Sequence, residues 1–382
     1  MLTALATLPL LIWLYLLLAR GRFWVARASA CRAELQLGIR RIVAVIPARN
    51  EADVIGDAIT SLLKQNFPAP LEIVLIDDGS TDGTSQVARF AAERCDTAER
   101  LTIVEGKPLP PGWTGKLWAL SQGVAVALEL GPDYLLLTDA DIRHGEHSLG
   151  ELVKIAKSGD YDLASLMVKL RCETTAEKAL IPAFVFFFLM LYPPAWIAEP
   201  KKRTAGAAGG CILIRPEALE RIGGLAAIRN EVIDDCALAQ AVKRSRGRIW
   251  MGLSTNSESI RSYGTFGEIG RMISRTAFNE LRHSPLILAG TILGLFVTYL
   301  LPLLLLFSGN VAAVAFGAAA WILMAIAYRP TVHFYRRGFW WSFALPAIAL
   351  FYMGATLHSA IQYWRGKGGE WKGRVQDVRT PL

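Results

Sequence analysis

The chain has 382 residues, enough for one large domain or two medium ones, with 53% apolar residues, 19% charged residues and a formal net charge of +8. That balance excludes a disordered chain, and the gathering of apolar residues at both ends argues against a wholly soluble protein. The basic surplus fits nucleic acid, an anionic membrane surface or phosphorylated substrates, while five widely spaced cysteines (Cys31, Cys95, Cys172, Cys211, Cys236) without a CxxC argue against a disulfide framework or a zinc site.

Leu2 to Ala19 carries no charge for 18 residues, just enough to cross a hydrocarbon core about 30 Å thick. No basic residue precedes it, and Arg20, Arg22 and Arg27 follow. The positive-inside rule therefore predicts a retained anchor over residues 1–20, with the following chain in the cytosol, in preference to a cleaved signal peptide.

Residues 21–285 are mixed in composition and long enough for a substantial α/β core. Arg41 to Ala48 reads as a buried strand, followed by a helix with Val54, Ala58, Ile59, Leu62 and Leu63 on one face. Glu72 to Asp77 is a second strand, ended by the turn residues Asp77 to Thr84. Leu101 to Gly106 is a third. A helix over Leu117 to Leu130 follows GWTGK, and Asp133 to Asp141 is a fourth strand. This alternation predicts an α/β, Rossmann-like, mainly parallel sheet with right-handed crossovers. Ligands in such sheets sit beyond the carboxyl ends of the strands, where ARNE, DDGSTDGT, GWTGK and DAD all fall. No GxGxxG follows the first strand and no GxxxxGK[ST] occurs, so a dinucleotide site has little support and a P-loop none.

Later in this region Ile181 to Ala198 is again uncharged for 18 residues. Pro193-Pro194 would break a span, and a crossing would split the domain. A helix lying in the membrane interface over 181–198 is the expectation, with a buried core helix as the alternative. Beyond the domain, Leu286 to Phe307 and Val311 to Tyr328 read as spans, and Arg329, Arg336 and Arg337 assign the 329–338 loop to the cytosol. Phe339 to Trp364 contains Pro346, His358 and Gln362 and is expected to be kinked or re-entrant. A full third crossing in the 286–364 region would carry the basic tail 365–382, with Arg365, Lys367, Lys372, Arg374 and Arg379, to the wrong side.

Three acidic pairs stand out: Asp77 with Asp78, Asp139 with Asp141, and Asp234 with Asp235. Carboxylates at strand ends need solvent, hydrogen bonds or a metal. Mg²⁺ or Mn²⁺ takes oxygen ligands and leaves positions for water and phosphates. Asp139 and Asp141 point to the same side of an extended backbone, although two helix-capping aspartates are the plain alternative. Lys116, in a Gly- and Pro-rich loop before a helix, suits phosphate oxygens. Gly206, Gly209 and Gly210 allow a close backbone approach to a ligand. Asp234 and Asp235 fall in the first turn of an amphipathic helix; Asp234 as a helix cap is the plain alternative, and Asp235 remains available as a general base. None of the five histidines has metal-ligand spacing, and His144 and His147 read as surface residues.

In this order PARNE (47–51), IDDGSTDGT (76–84), TDAD (138–141) and IDDCALA (233–239) resemble the inverting family 2 glycosyltransferases with a GT-A fold. The apolar ends resemble the lipid-acting branch, similar to ceramide glucosyltransferases and carotenoid glycosyltransferases. YPPAWIAEP, TAGAAGGCILI, VIDDCALA and SRTAF look closest to bacterial hopene-associated glycosyltransferases. The resemblance implies that Pro47, Glu51, Asp77 and Asp78 hold the nucleotide and that Lys116, Arg271 and Arg275 meet the diphosphate. It gives Asp139 to the nucleotide and metal, Asp141 to the metal, Asp235 to catalysis as the base, and Gly209, Gly210 and Asp234 to the acceptor side. It further implies Mg²⁺ or Mn²⁺ as cofactor, a nucleotide-diphospho-sugar donor (a UDP-sugar first), a hopanoid-related membrane lipid acceptor, and a bacterial inner-membrane protein with its catalytic domain in the cytosol. One departure stands: processive members carry QxxRW, where this chain has FGEIGRMISRTAF (266–278) with no Trp after Arg271, which favours a single transfer. Transfer to a polyprenyl phosphate and a non-catalytic membrane scaffold are the rival readings. Nucleic acid is not expected, because the basic residues border the apolar runs.

Overall fold

The computed structural model describes residues 2–26, 28, 38–371 and 374–375. Cys31 and half of the basic tail, including Lys372 and Arg379, lie outside the described residues, as does Arg27. The other four cysteines are free thiols.

The chain opens with α1 (Leu2–Leu18). The first half of the domain then runs β1 (Ile42–Ala48), α2 (Ile55–Leu63), β2 (Leu71–Asp77), α3 (Thr84–Glu93), β3 (Leu101–Glu105), α4 (Gly115–Glu129) and β4 (Tyr134–Thr138). The four predicted strands are all present and all parallel, in the order β3-β2-β1-β4. All seven residues of β1 are buried, as its unbroken apolar run requires. Pro47 is tolerated there because the ladder to β4 stops two residues earlier, at Val45. Gly123 lets α4 press onto the sheet: a Cβ there would lie 2.5 Å from Val45 Cγ1.

The second half is β5 (Ile142–His144), α5 (Ser148–Ser158), β6 (Leu163–Lys169), α6 (Thr175–Leu191), α7 (Pro194–Ala198), β7 (Cys211–Ile214), α8 (Pro216–Arg221), α9 (Asp234–Arg244) and β8 (Ile249–Ser259). It completes an eight-stranded sheet, β3-β2-β1-β4-β7-β6-β8-β5, in which β7 and β5 run antiparallel to their neighbours. β6 and β8 point the same way as β1 to β4, so their carboxyl ends share one edge. Alternate strand residues feed two cores. Ile42, Ala44 and Ile46 pack with α2, α3 and α5, while Val43, Val45, Val74 and Ile76 pack with α4, α6 and α9.

The rest is helical: α10 (Phe266–Ser274), α11 (Ala277–Glu280), α12 (Pro285–Leu295), a π turn (Phe296–Leu300), α13 (Leu301–Leu305), α14 (Val311–Phe334), a 3₁₀ turn (Phe339–Ala344) and α15 (Leu345–Trp364). The two ends of the chain meet here. Ala6, Pro9, Trp13 and Leu16 form the buried face of α1, and the Trp13 indole N–H donates to the Thr298 carbonyl at 2.9 Å. Outward-facing residues are apolar: Leu11, Leu18, Leu286, Leu293, Val311 and Ile322 are all exposed, a surface unlike that of a soluble monomer. Among the described residues four helical stretches are long and apolar enough to cross a membrane: Thr175–Ala198, Pro285–Leu305, Val311–Phe334 and Phe339–Trp364.

Two sequence expectations change. α14 does not stop at Tyr328; it continues through Arg329 and Pro330 to Phe334. The connection shrinks to Tyr335–Gly338, because the N–H groups of Tyr335, Arg336 and Arg337 bond back to the carbonyls of Thr331, His333 and Val332. Nor does Pro346 kink its helix, since it lies in the first turn of α15, where no donor is needed. α15 also touches the domain along its length. Tyr335, just before the 3₁₀ turn, accepts from the Leu170 N–H, the Tyr352 hydroxyl donates to the Leu180 carbonyl, Ser359 accepts from the Phe278 N–H, and Tyr363 stacks on His283.

Candidate active site

The carboxyl edge of the sheet gathers the acidic residues. β4 delivers Asp139 and Asp141, and the segment that follows β7 and α8 brings α9 to face them, with Asp234 and Asp235 in its first turn. Lys116, from the start of α4, joins the two sets: its Nζ lies 2.9 Å from Asp139 Oδ1 and 3.1 Å from Asp234 Oδ2. Asp234 is therefore not a helix cap. The cap position is Ile233, without a side-chain bond, and the Asp234 carboxylate turns to the lysine instead. Pro47, Lys116, Asp139, Gly209, Asp234 and Asp235 line one cavity of about 20 Å³, room for about one water.

A second cation braces the other side. Arg261, just past β8, donates from Nε to Asp141 Oδ2 at 2.8 Å and from Nη2 to both oxygens of Glu51 at 2.7 and 2.8 Å. Glu51 and Asp141 are buried. In this network Glu51, Asp139, Asp141, Asp234 and Asp235 share two cations, Lys116 and Arg261. Burial and the excess of negative charge shift the Asp139 and Asp235 carboxyls upward. Burial, then repulsion from Asp141 and Asp234, raises the Asp139 carboxyl against the pull of Lys116. Burial and repulsion from Asp234 push Asp235 up to about 6, with Lys116 and the N–H groups of Cys236 and Gly209 pulling the other way. Burial alone would lower Lys116, but Asp139 and Asp234 hold it above the usual lysine range.

Asp235 is fixed by backbone. Its Oδ2 accepts from the Gly209 N–H at 2.8 Å and its Oδ1 from the Cys236 N–H at 2.7 Å. α9 is itself anchored at its far end, where the Lys243 ammonium donates to the carbonyls of Trp196, Ile197 and Thr204.

His144, expected at the surface, is buried. Burial pushes its ring down to about 4, so it is neutral near pH 7. The Thr138 hydroxyl gives its one proton to the Gly210 carbonyl at 2.7 Å. Thr138 must therefore accept from His144 Nε2, 3.0 Å away, which assigns that nitrogen the hydrogen. The chain His144–Thr138–Gly210 thus ties the DAD turn to the glycine pair. His147 is exposed, as expected.

The remaining predicted residues divide. Asp77 accepts from the Ser80 N–H at 2.8 Å and from the Ser85 hydroxyl, within its own turn. Asp78 is buried beside Arg49, 3.7 Å from its Nη1. Gly209 faces Asp235 and Lys116, but Gly210 turns towards Ile142 and Val168 in the core. Arg271 and Arg275 are exposed on and just after α10, and Arg275 lies within electrostatic reach of Tyr263. Sequence reasoning missed Arg261 and His144. Arg261 follows a strand whose carboxyl end lies on the ligand edge, which was a usable signal; His144 offered none in its spacing.

Among the described residues no three His, Cys, Asp or Glu side chains form a ligand set for a metal. The donor chemistry nevertheless fits a hard divalent cation, since Asp139 and Asp141 are both oxygen donors in a cluster with surplus negative charge.

Residues 43–223 match the family model for Glycosyl transferase family 2. The chain carries a family 2 glycosyltransferase domain. Asp234, Asp235 and Arg261 lie beyond the matched segment. The glycosyltransferase domain is 33% identical over 109 residues to 4,4'-diaponeurosporenoate glycosyltransferase of Staphylococcus aureus, covering 28% of this chain and 26% of that protein. It is 32% identical over 123 residues to an uncharacterized protein of Methanocaldococcus jannaschii, covering 32% of this chain and 44% of the relative. Each alignment thus spans less than half of the relative's length. The fold as a whole is like that of a mannosyltransferase from Pyrobaculum calidifontis, solved in complex with GDP-Man and Mn²⁺, with a TM-score of 0.55 at 20% identity over 96% of this chain and all of that one. The mainly parallel α/β sheet is the GT-A fold.

Proposed function

We propose that the chain transfers a single sugar from a nucleotide-diphosphate donor to a hydroxyl of a membrane lipid, with inversion at the anomeric carbon. The observation that carries this is the Lys116 bridge, which brings Asp139 and the Asp234–Asp235 pair into one cleft. Asp235, with a carboxyl near pH 6, is charged at neutral pH and held by two backbone donors as a base. It takes the acceptor hydroxyl proton as that oxygen bonds to the anomeric carbon. The bond from that carbon to the diphosphate oxygen breaks, and the diphosphate leaves with the electron pair. Lys116 offsets the growing charge. A Mg²⁺ or Mn²⁺ ion held by Asp139 and Asp141 would supply Lewis-acid stabilisation of the diphosphate. Glu51 and Asp78 face the nucleoside, and Arg271 and Arg275 are available to the diphosphate. The complex of the similarly folded mannosyltransferase with GDP-Man and Mn²⁺ supports a donor and metal of these classes.

The acceptor reading rests on the apolar surface. In the arrangement we favour, α1, α12–α13 and α14 cross the bilayer, and α6 and α15 lie at its interface on the catalytic side. The domain-side contacts of α15 return the basic tail to that side, consistent with the positive-inside rule. The domain then faces the cytosol at a bacterial inner membrane. The sequence motifs favour a hopanoid or related triterpenoid alcohol as acceptor. The test is lipid mass spectrometry after incubating membranes with a panel of nucleotide-sugars. A new hexosyl-lipid made by the native chain and missing with Asp235→Asn is expected; no product from any donor, with no thermal shift on adding nucleoside diphosphate and Mn²⁺, refutes it.

A further inference from the structure

Between Ser284 and Trp364 only three residues carry charge, Arg329, Arg336 and Arg337, and no acidic residue occurs between Glu280 and Glu370. Arg329 lies near the end of α14, and Arg336 and Arg337 lie in the turn that joins it to α15. Arg336 is exposed. The other two are folded inward: Arg329 lies over the Phe339 ring at 5.4 Å and Arg337 over the Trp341 ring at 5.2 Å. Arg329 Nη1 and Arg337 Nε are buried and, among the described residues, without a hydrogen-bond partner. So are the hydroxyls of Thr331 and Ser342 on the same hairpin, both residues almost fully buried. A buried guanidinium N–H without an acceptor is costly, and this short hairpin holds two, with two orphaned hydroxyls.

The facing segment of the domain does not supply the missing acceptor. Arg337 is within electrostatic reach of Cys172, yet the nearby carboxylates are committed elsewhere. Glu173 pairs with Arg171, and Glu177 accepts from the N–H groups of Glu173, Thr174 and Tyr263. Phe339 and Trp340 beside the arginines are exposed, Trp340 by 80%, as aromatic residues are at the headgroup level of a bilayer. The hairpin touches the domain through Tyr335 and Leu170, so this level is the catalytic side.

We propose that this hairpin is a binding site for the phosphate of an anionic phospholipid, with Arg329 and Arg337 as its two donors. Aromatic rings hold the guanidinium planes and leave their N–H edges for phosphate oxygens. The site rests on the membrane insertion proposed above. It is distinct from general attraction of basic residues to an anionic leaflet, because that attraction would use the exposed Arg336 at least as well.

The test uses the full chain in detergent and reads retained lipid by native mass spectrometry, with phosphatidylglycerol or phosphatidylcholine added. The native chain is expected to retain phosphatidylglycerol about tenfold more strongly than phosphatidylcholine. Arg329→Gln with Arg337→Gln should abolish the preference, Arg329→Lys with Arg337→Lys should keep part of it, and Arg336→Gln should leave it intact. Equal retention of both lipids by the native chain overturns the proposal, whatever the variants do. So does a loss with Arg336→Gln equal to that of the double variant, or full displacement by millimolar inorganic phosphate, which would make free phosphate the ligand. Liposome flotation in the same series separates this outcome from failure of membrane insertion: a chain that does not float refutes the insertion, and a floating chain without lipid preference refutes the site alone.

Discussion

The Gly209 N–H donates to Asp235 Oδ2 at 2.8 Å, and the missing side chain of Gly209 leaves the space this contact needs. A Cβ at position 209 would lie 3.3 Å from that same Oδ2 and 3.4 Å from Lys116 Nζ. Gly209→Ala should therefore shift the carboxylate without disturbing the fold. Transfer is expected to fall about tenfold or more, from misplacement of the base, with nucleotide affinity by calorimetry nearly unchanged. Native activity in this variant would remove Gly209 from the positioning of Asp235.

Asp235 sets the acid limb of the rate. With its carboxyl near 6, the base is ionised above that pH and protonated below it. Transfer should be flat above about pH 7 and fall tenfold per pH unit well below pH 6. The same shift has a sign for stability. The folded value lies above the ordinary 3.8, so the folded chain binds the proton more readily between about pH 4 and pH 6, and stability from this group is lost as pH rises through that window. Asp235→Asn should accordingly lose transfer yet gain about 1–2 kcal/mol at pH 7, read from a thermal melt. A less stable, inactive variant would assign Asp235 a structural role.

Arg261 bonds both Glu51 and Asp141, using Nη2 for one and Nε for the other. Removing it leaves two buried carboxylates facing each other. Arg261→Gln should cost about 3 kcal/mol. Arg261→Lys should recover little of it, since a single ammonium lacks the fork that reaches both partners. Thermal melts of the two variants check this; equal, near-native melting would show that the bridge contributes nothing.

His144 makes the fold sensitive to acid. Its ring is neutral when folded, with a value near 4 against the ordinary 6.5. The stability it contributes is complete above pH 6.5 and lost as pH falls towards 4. His144→Gln keeps a donor for Thr138 but cannot charge, so its acid unfolding midpoint should move to lower pH. A midpoint unchanged or raised would contradict the buried neutral ring.

The parallel half of the sheet was legible because β1, β2 and β4 are buried on both faces and so appear as unbroken apolar runs ending in polar turns. The same rule pointed to Asp139, Asp141 and Lys116. What escaped were relationships that depend on distant partners. Arg261 lies 210 residues from Glu51 along the chain, and no local pattern reports an ion pair of that span. Gly209 and Gly210 read in sequence as a ligand-side pair, but they form the turn before β7, and a side chain at 209 would face the cleft while one at 210 would face Ile142 and Val168. The end of α14 was misjudged because an arginine and a proline look like a stop, while back-bonding at Tyr335 to Arg337 carries the helix past both.

The aromatic ladder along α6 bears on how the protein can be handled. Phe186 leans on Phe23 and Tyr328, and Phe187 on Tyr299 and Tyr352, so the C-terminal helices supply the far wall of the catalytic core. A trimmed fragment of residues 21–285 would bare that ladder and clump in buffer. Purification for enzymology has to begin from solubilised full-length chain.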